Sequence, residues 1–224
     1  MTLARATSVI LAKELRTEFR SRQLLGTTAV FVLIVIVLFS FTFNPTSTES
    51  RRFGPGLLWL AFLFAGSLML QSSFLREQTN DTLAALRLAP IDPFSILAGK
   101  MAANFLFLLL VEVILLPVFA VLYNVAILPV LPQLLLVLVM GTIGLAATGT
   151  VFSAVAAQAR LRELLLPLLL LPVLAPVLIA STEATIGVLQ DPSELSLVWL
   201  TFLACFDIVF LTAAWMVGEY LLEE

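Results

Sequence analysis

Residues Leu24–Phe43 read LLGTTAVFVLIVIVLFSFTF, a run without one charged side chain. A helix rises ~1.5 Å per residue, so about 20 apolar residues cross the hydrocarbon of a bilayer. The run therefore predicts a transmembrane helix. Five further windows of the same kind follow: Leu57–Leu75, Met101–Tyr123, Leu131 to about Ala156, Leu164 to about Ala180, and Leu195–Val217. The fifth contains Pro167, Pro172 and Pro176, each of which removes a backbone donor, so a broken or partly re-entrant segment is an alternative there. With 61% hydrophobic and 12% charged residues, the chain would expose large apolar patches in water, and lipid is the solvent that fits it. The expected fold is an all-α polytopic membrane protein of about six transmembrane helices, forming one domain over residues 1–224.

Charge placement predicts the orientation. Arg5, Lys13, Arg16, Arg20 and Arg22 precede the first crossing, Arg76, Arg87 and Lys100 fall between the second and third, and Arg160 and Arg162 between the fourth and fifth. Ten of the twelve basic residues thus share one side, leaving Arg51 and Arg52 on the other. Basic residues resist translocation, so the N- and C-termini are expected in the cytoplasm. Two polar turns, Asn44–Pro55 and Thr182–Glu194, are expected outside. The formal net charge of −3 gives no basic face of the kind nucleic acid requires.

The basic residues before the first crossing alternate with apolar ones, unlike a cleaved signal peptide. Val9, Ala12, Leu15 and Phe19 recur at three- and four-residue spacing, while Lys13, Glu14, Arg16 and Arg20 occupy other faces. Residues 3–22 are expected to form an amphipathic helix along the inner leaflet, its cations among phospholipid head groups and Glu18 paired with Arg22. The alternative is an ordinary basic flank that only fixes topology.

Between the second and third crossings, residues 76–100 form the longest cytoplasmic connection. Asn80 or Asp81 is placed to cap a short helix, Leu83 and Leu86 share a face, and Pro90 ends it. Such a helix suits docking into the groove of another protein. A polar loop resting its leucines on the membrane reads equally well. Two acidic residues, Glu112 and Asp207, fall inside predicted crossings, where each must face protein or water. They mark either a functional site or protonated carboxyls bonded between helices. Gln71, Ser72 and Ser73 either line a cavity or mark a helix end. Gly141, Gly144, Gly149, Ser153 and Ala157 provide small surfaces for helix packing, or a permeation pathway. Cys205 reads as a small buried hydrophobe, and paired catalytic groups of an intramembrane enzyme are not visible.

The loop residues Glu77, Asp81, Thr82, Leu83, Leu86 and Pro90, with Lys100 opening the next crossing, resemble the equivalent loop in permeases of ABC exporters with six helices per subunit. Together with the basic start Lys13-Glu14-Leu15-Arg16, Glu18-Phe19-Arg20, a Gly- and Ala-rich fourth helix and a Pro-rich fifth, the chain resembles the B-subunit permease of the cytochrome c maturation haem exporter over nearly its whole length. The resemblance implies an ABC-2 or type V exporter-like fold in the bacterial inner membrane. It implies an ABC ATPase subunit, in two copies, contacted through Arg76, Glu77, Asp81, Thr82, Leu83, Leu86 and Arg87. It further implies a second copy of this permease, a haem-handling membrane subunit and a small single-span subunit. ATP belongs to the partner, because no GxxxxGK[ST] loop occurs here. The chain has no histidine, so haem as cargo is expected to be ligated by a partner; Met69, Met101, Met140 and Met216 read as packing. A permease for a lipid-linked glycan or a small toxic molecule is the alternative, and a scaffold that uses ATPase motion to release a partner is another.

Overall fold

The computed structural model describes residues 2–21, 23–42, 48–79, 91–157, 162–190 and 193–223. Among these, seven α-helices follow one another: α1 (Leu3–Ser21), α2 (Gln23–Thr42), α3 (Thr48–Thr79), α4 (Pro93–Leu122), α5 (Leu131–Ala157), α6 (Arg162–Leu189) and α7 (Leu197–Glu223). A short 3-10 turn, Leu128–Val130, leads into α5. Six helices, α2 to α7, are long and apolar enough to cross a membrane. The protein is a multi-pass helical membrane protein, as its apolar windows predict.

The apolar windows locate the crossings but misplace several ends, and each shift has a local cause. α4 begins eight residues before Met101 because Pro93 occupies its first turn and Asp92 caps it, Oδ1 accepting from the Phe94 N–H at 2.9 Å. α3 starts at Thr48, so much of the polar turn expected at Asn44–Pro55 is helical. It also runs on to Thr79, past Gln71, Ser72 and Ser73, which do not mark its end. α6 extends to Leu189 and carries Glu183 within it, shortening the second outer turn.

The proline-rich fifth crossing is one uninterrupted helix. Pro172 and Pro176 are exposed on its outer side, whereas Leu170, Leu174, Val177, Ala180 and Ala184 are buried on the inner one. Rings that face away from the bundle meet no neighbouring helix, and the buried stripe packs the segment against the bundle.

α5 is the centre of the bundle, packed against α3, α4, α6 and α7. Its small residues make this possible. A Cβ on Gly141 would stand 2.2 Å from the Trp59 ring of α3, one on Gly149 2.2 Å from Leu70 Cδ1, and one on Gly144 3.0 Å from Asp207 Oδ1 of α7. The glycines face three neighbours, which is the arrangement of helix packing. Trp59 is fully buried and donates from Nε1 to Thr185 Oγ1 of α6 at 2.9 Å, so its ring is held on two sides. Cys205 is exposed on α7, which corrects the expectation of a buried thiol; its position falls on the face that α7 turns away from α5.

Gly141→Ala is expected to drive the fixed Trp59 ring off its site at a cost of about 1–3 kcal/mol. Thermal unfolding in detergent, followed by tryptophan fluorescence, checks this; an unchanged midpoint would mean that the ring is free to move.

Candidate functional site

α1 crosses α4 at a point of close approach, where a Cβ on Gly99 would stand 2.6 Å from Ile10 Cβ. The next residue of α4, Lys100, is wholly buried. Its Nζ donates to Glu14 Oε1 of α1 at 2.9 Å and to the Ser73 carbonyl of α3 at 2.6 Å, and lies 4.8 Å from the centroid of the Phe74 ring. An ammonium taken out of water needs an anion and hydrogen-bond acceptors around it, and here three helices supply them.

The network continues inward. Asn104, one turn along α4, donates to Thr150 Oγ1 of α5 at 2.9 Å and reaches Ser73 Oγ at 3.3 Å. Ser153 of α5 donates to the Leu70 carbonyl of α3 at 2.5 Å. The result is a polar junction of α1, α3, α4 and α5 at the end of the bundle where α3 finishes and α4 begins. Residues 80–92 connect those two helices.

A second carboxylate of α1 is also used structurally. Glu18 is 1% exposed and its Oε1 accepts the Leu25 N–H at 2.9 Å, meeting a donor that the first turn of α2 cannot bond within the helix. The pairing expected with Arg22 lies outside the described residues.

The structure sorts the remaining expected site residues. Lys13, Arg16, Phe19 and Arg20 are exposed on α1. Arg76 and Glu77 fall in the last turns of α3, whereas Asp81, Thr82, Leu83, Leu86, Arg87 and the Asn80 cap lie outside the described residues. Lys100, read from sequence as a loop residue, is inside α4 and buried among helices. Glu112 sits twelve residues further along, about 18 Å at the rise of a helix, and does not share the Lys100 network.

Glu112 is 1% exposed, with both carboxylate oxygens on Thr142 Oγ1 of α5, at 2.8 and 2.7 Å. Thr142 Oγ1 also lies 2.6 Å from the Leu138 carbonyl. The hydroxyl that meets Glu112 is thus also held on its own backbone turn. Asp207 is 7% exposed and faces Gly144, with no hydrogen-bond partner at Oδ1 among the described residues. Thr142 and Gly144 are two residues apart, roughly 200° around α5. Glu112 and Asp207 therefore lie against different sides of that helix.

Sequence reasoning missed the Lys100–Glu14 pair because its partners are 86 residues apart. The available signal was a lysine preceded by glycine at the start of an apolar run, together with a glutamate on an amphipathic helix.

Six apolar spans joined by packing and interhelical hydrogen bonds, with a polar network at one foot, define a polytopic helical-bundle membrane protein. The chain belongs to the CcmB protein family, whose model matches residues 5–217, from the first turn of α1 well into α7. It is 36% identical to heme exporter protein B of Pseudomonas aeruginosa over 199 residues, 88% of each chain. It is 33% identical to heme exporter protein B of Rhodobacter capsulatus, covering 78% of this chain and 79% of the relative, and 33% identical to that of Paracoccus denitrificans, covering 78% and 80%.

Burial alone would push the Glu14 carboxyl up; the Lys100 ammonium, helped by Lys13, outweighs it and holds the group below its ordinary 4.5. The stabilisation is therefore fully present above the unfolded value and is lost as pH falls through the lower folded one. Lys100→Met is expected to destabilise the protein at pH 7, near the lower end of the about 3–5 kcal/mol typical of a broken buried pair. Glu14→Gln combined with Lys100→Met should recover part of the loss. Thermal midpoints of the variants measure this, and identical midpoints for wild type and Lys100→Met would contradict the pairing.

Proposed function

We propose that this chain is the transmembrane permease subunit of an ABC transporter complex required for cytochrome c biogenesis, moving or releasing haem, or a haem-chaperone complex, at the bacterial cytoplasmic membrane. The observation that carries this reading is similarity to heme exporter protein B over 88% of the chain. The absence of a phosphate loop from the sequence assigns ATP hydrolysis to a separate subunit, and the absence of histidine assigns haem ligation to a partner. The basic residues orient both termini to the cytoplasm.

In this reading the ATPase, in two copies, docks on the connection between α3 and α4 through Arg76, Glu77, Asp81, Thr82, Leu83, Leu86 and Arg87. A second permease copy, a haem-handling membrane subunit and a small single-span subunit complete the assembly. The connection leaves α3 and enters α4, the two helices that the Lys100 ammonium ties to α1. A push on the connection is carried into α1 by that tie and into α5 by Asn104 and Ser153. Movement of the motor then reaches the bundle as rocking of a braced unit.

Leu83→Asp with Leu86→Asp should detach the ATPase on affinity purification while the permease still inserts; intact co-purification would defeat the docking assignment. Deletion of the gene should abolish holocytochrome c, scored by haem staining, and normal haem attachment in the deletion strain would overturn the functional reading.

A further inference from the structure

α3 and α6 pack side by side without closing over their full length. Between them, in the half of the bundle away from the Lys100 foot, runs a groove of about 470 Å³. Phe53, Leu57 and Leu60 form one wall, and Leu178 and Ile179 the other. Trp59 forms the floor, but its ring is drawn inward to Gly141 and Thr185 and leaves the space above it unfilled. Gly56 adds no side chain there; a Cβ on it would meet only Thr182 Cγ2, at 3.6 Å. Phe53 and Ile179 are 55% and 57% exposed, so the groove opens on the outside of the bundle, where lipid stands.

The groove is polar at one end only. Glu183 lines it there, beside Thr182 and level with Gly56. Arg52 stands one helical turn beyond Gly56, roughly 6 Å further out. Both charged residues are exposed, and among the described residues neither forms an ion pair. An apolar trough headed by one cation and one anion selects its occupant. An acyl chain fills the trough, and a head group that carries both charges meets both side chains, phosphate on Arg52 and ammonium on Glu183. A partner's apolar helix would fill the trough and leave both charges unanswered. An anionic lipid would answer Arg52 and set its own charge against Glu183. A quaternary ammonium has no N–H for the carboxylate to accept, whereas a primary one has three.

We propose that the groove between α3 and α6 is a binding site for one phosphatidylethanolamine, its acyl chain lying between Leu57 and Ile179 and its head group bridging Arg52 and Glu183. The site is remote from α1 and from the connection between α3 and α4, and it holds whatever the cargo is.

The test uses the full-length chain, purified in detergent and mixed with equal amounts of phosphatidylethanolamine, phosphatidylcholine and phosphatidylglycerol of matched acyl chains. Native mass spectrometry identifies the most tightly retained lipid. Wild type should hold one phosphatidylethanolamine per chain in preference to the other two. Glu183→Gln should lower its preference over phosphatidylcholine about fivefold, whereas Arg52→Gln should weaken retention of all three, which share the phosphate. Ile179→Trp, placed at the mouth of the groove, should abolish tight retention. Glu194→Gln, exposed in the connection between α6 and α7, should change nothing. Equal retention of phosphatidylethanolamine and phosphatidylcholine by wild type would overturn the proposal, as would an undiminished preference in Glu183→Gln or an equal loss in Glu194→Gln. A dimer that excludes the lipid and that Ile179→Trp dissociates would assign the groove to a second copy of the chain and overturn it too.

Discussion

The foot of this bundle depends on how Lys100 is accommodated. A lysine buried among helices is costly unless its ammonium is surrounded by an anion, a carbonyl and a polarisable ring, and Glu14, Ser73 and Phe74 provide those three. Each partner comes from a defined place, so meeting the charge also fixes the register of α1 and α3 against α4. The close contact of Gly99 with Ile10 follows from the same requirement, since the Glu14 carboxylate reaches Lys100 only if the two backbones approach.

Away from the foot, α5 sets the packing. Its glycines admit Trp59, Leu70 and Asp207, and its threonines satisfy their hydroxyls on their own backbone while still meeting neighbours, as Thr150 does with Ala146 and Asn104. Thr142 does the same with Leu138 and Glu112. This lets polar groups join helices in a solvent that offers no replacement hydrogen bond. Glu112 is absorbed by such a contact. Asp207 is not absorbed in the same way, and the two carboxyls, on different sides of α5, do not form a pair.

The crossings were legible because apolar length is a local property. Leu24–Phe43 and Leu131 to about Ala156 needed no knowledge of the rest of the chain. Lys100 was misread as a loop residue because a charge argues against lipid; its pairing with Glu14 is a tertiary fact. Pro172 and Pro176 suggested a break because sequence gives their number and not the side they face. The amphipathic character of α1 was visible, but the use of Glu14 and Glu18 as inward anchors depended on α4 and α2. Residues 81–87, which carry most of the expected ATPase contact, lie outside the described residues, so their part of the site rests on resemblance and on the helices that flank them.

If the proposed motor acts through the Lys100 tie, α1 and α4 move as one body while it works. Double electron–electron resonance between spin labels at Ala12 and Leu106, both exposed, in a Cys205→Ser background of the ATP-hydrolysing complex tests it directly. The distance distribution should be the same in the nucleotide-free and ATP-trapped states. A shift or broadening between those states would show α1 leaving α4 during the cycle, and the braced unit would not exist.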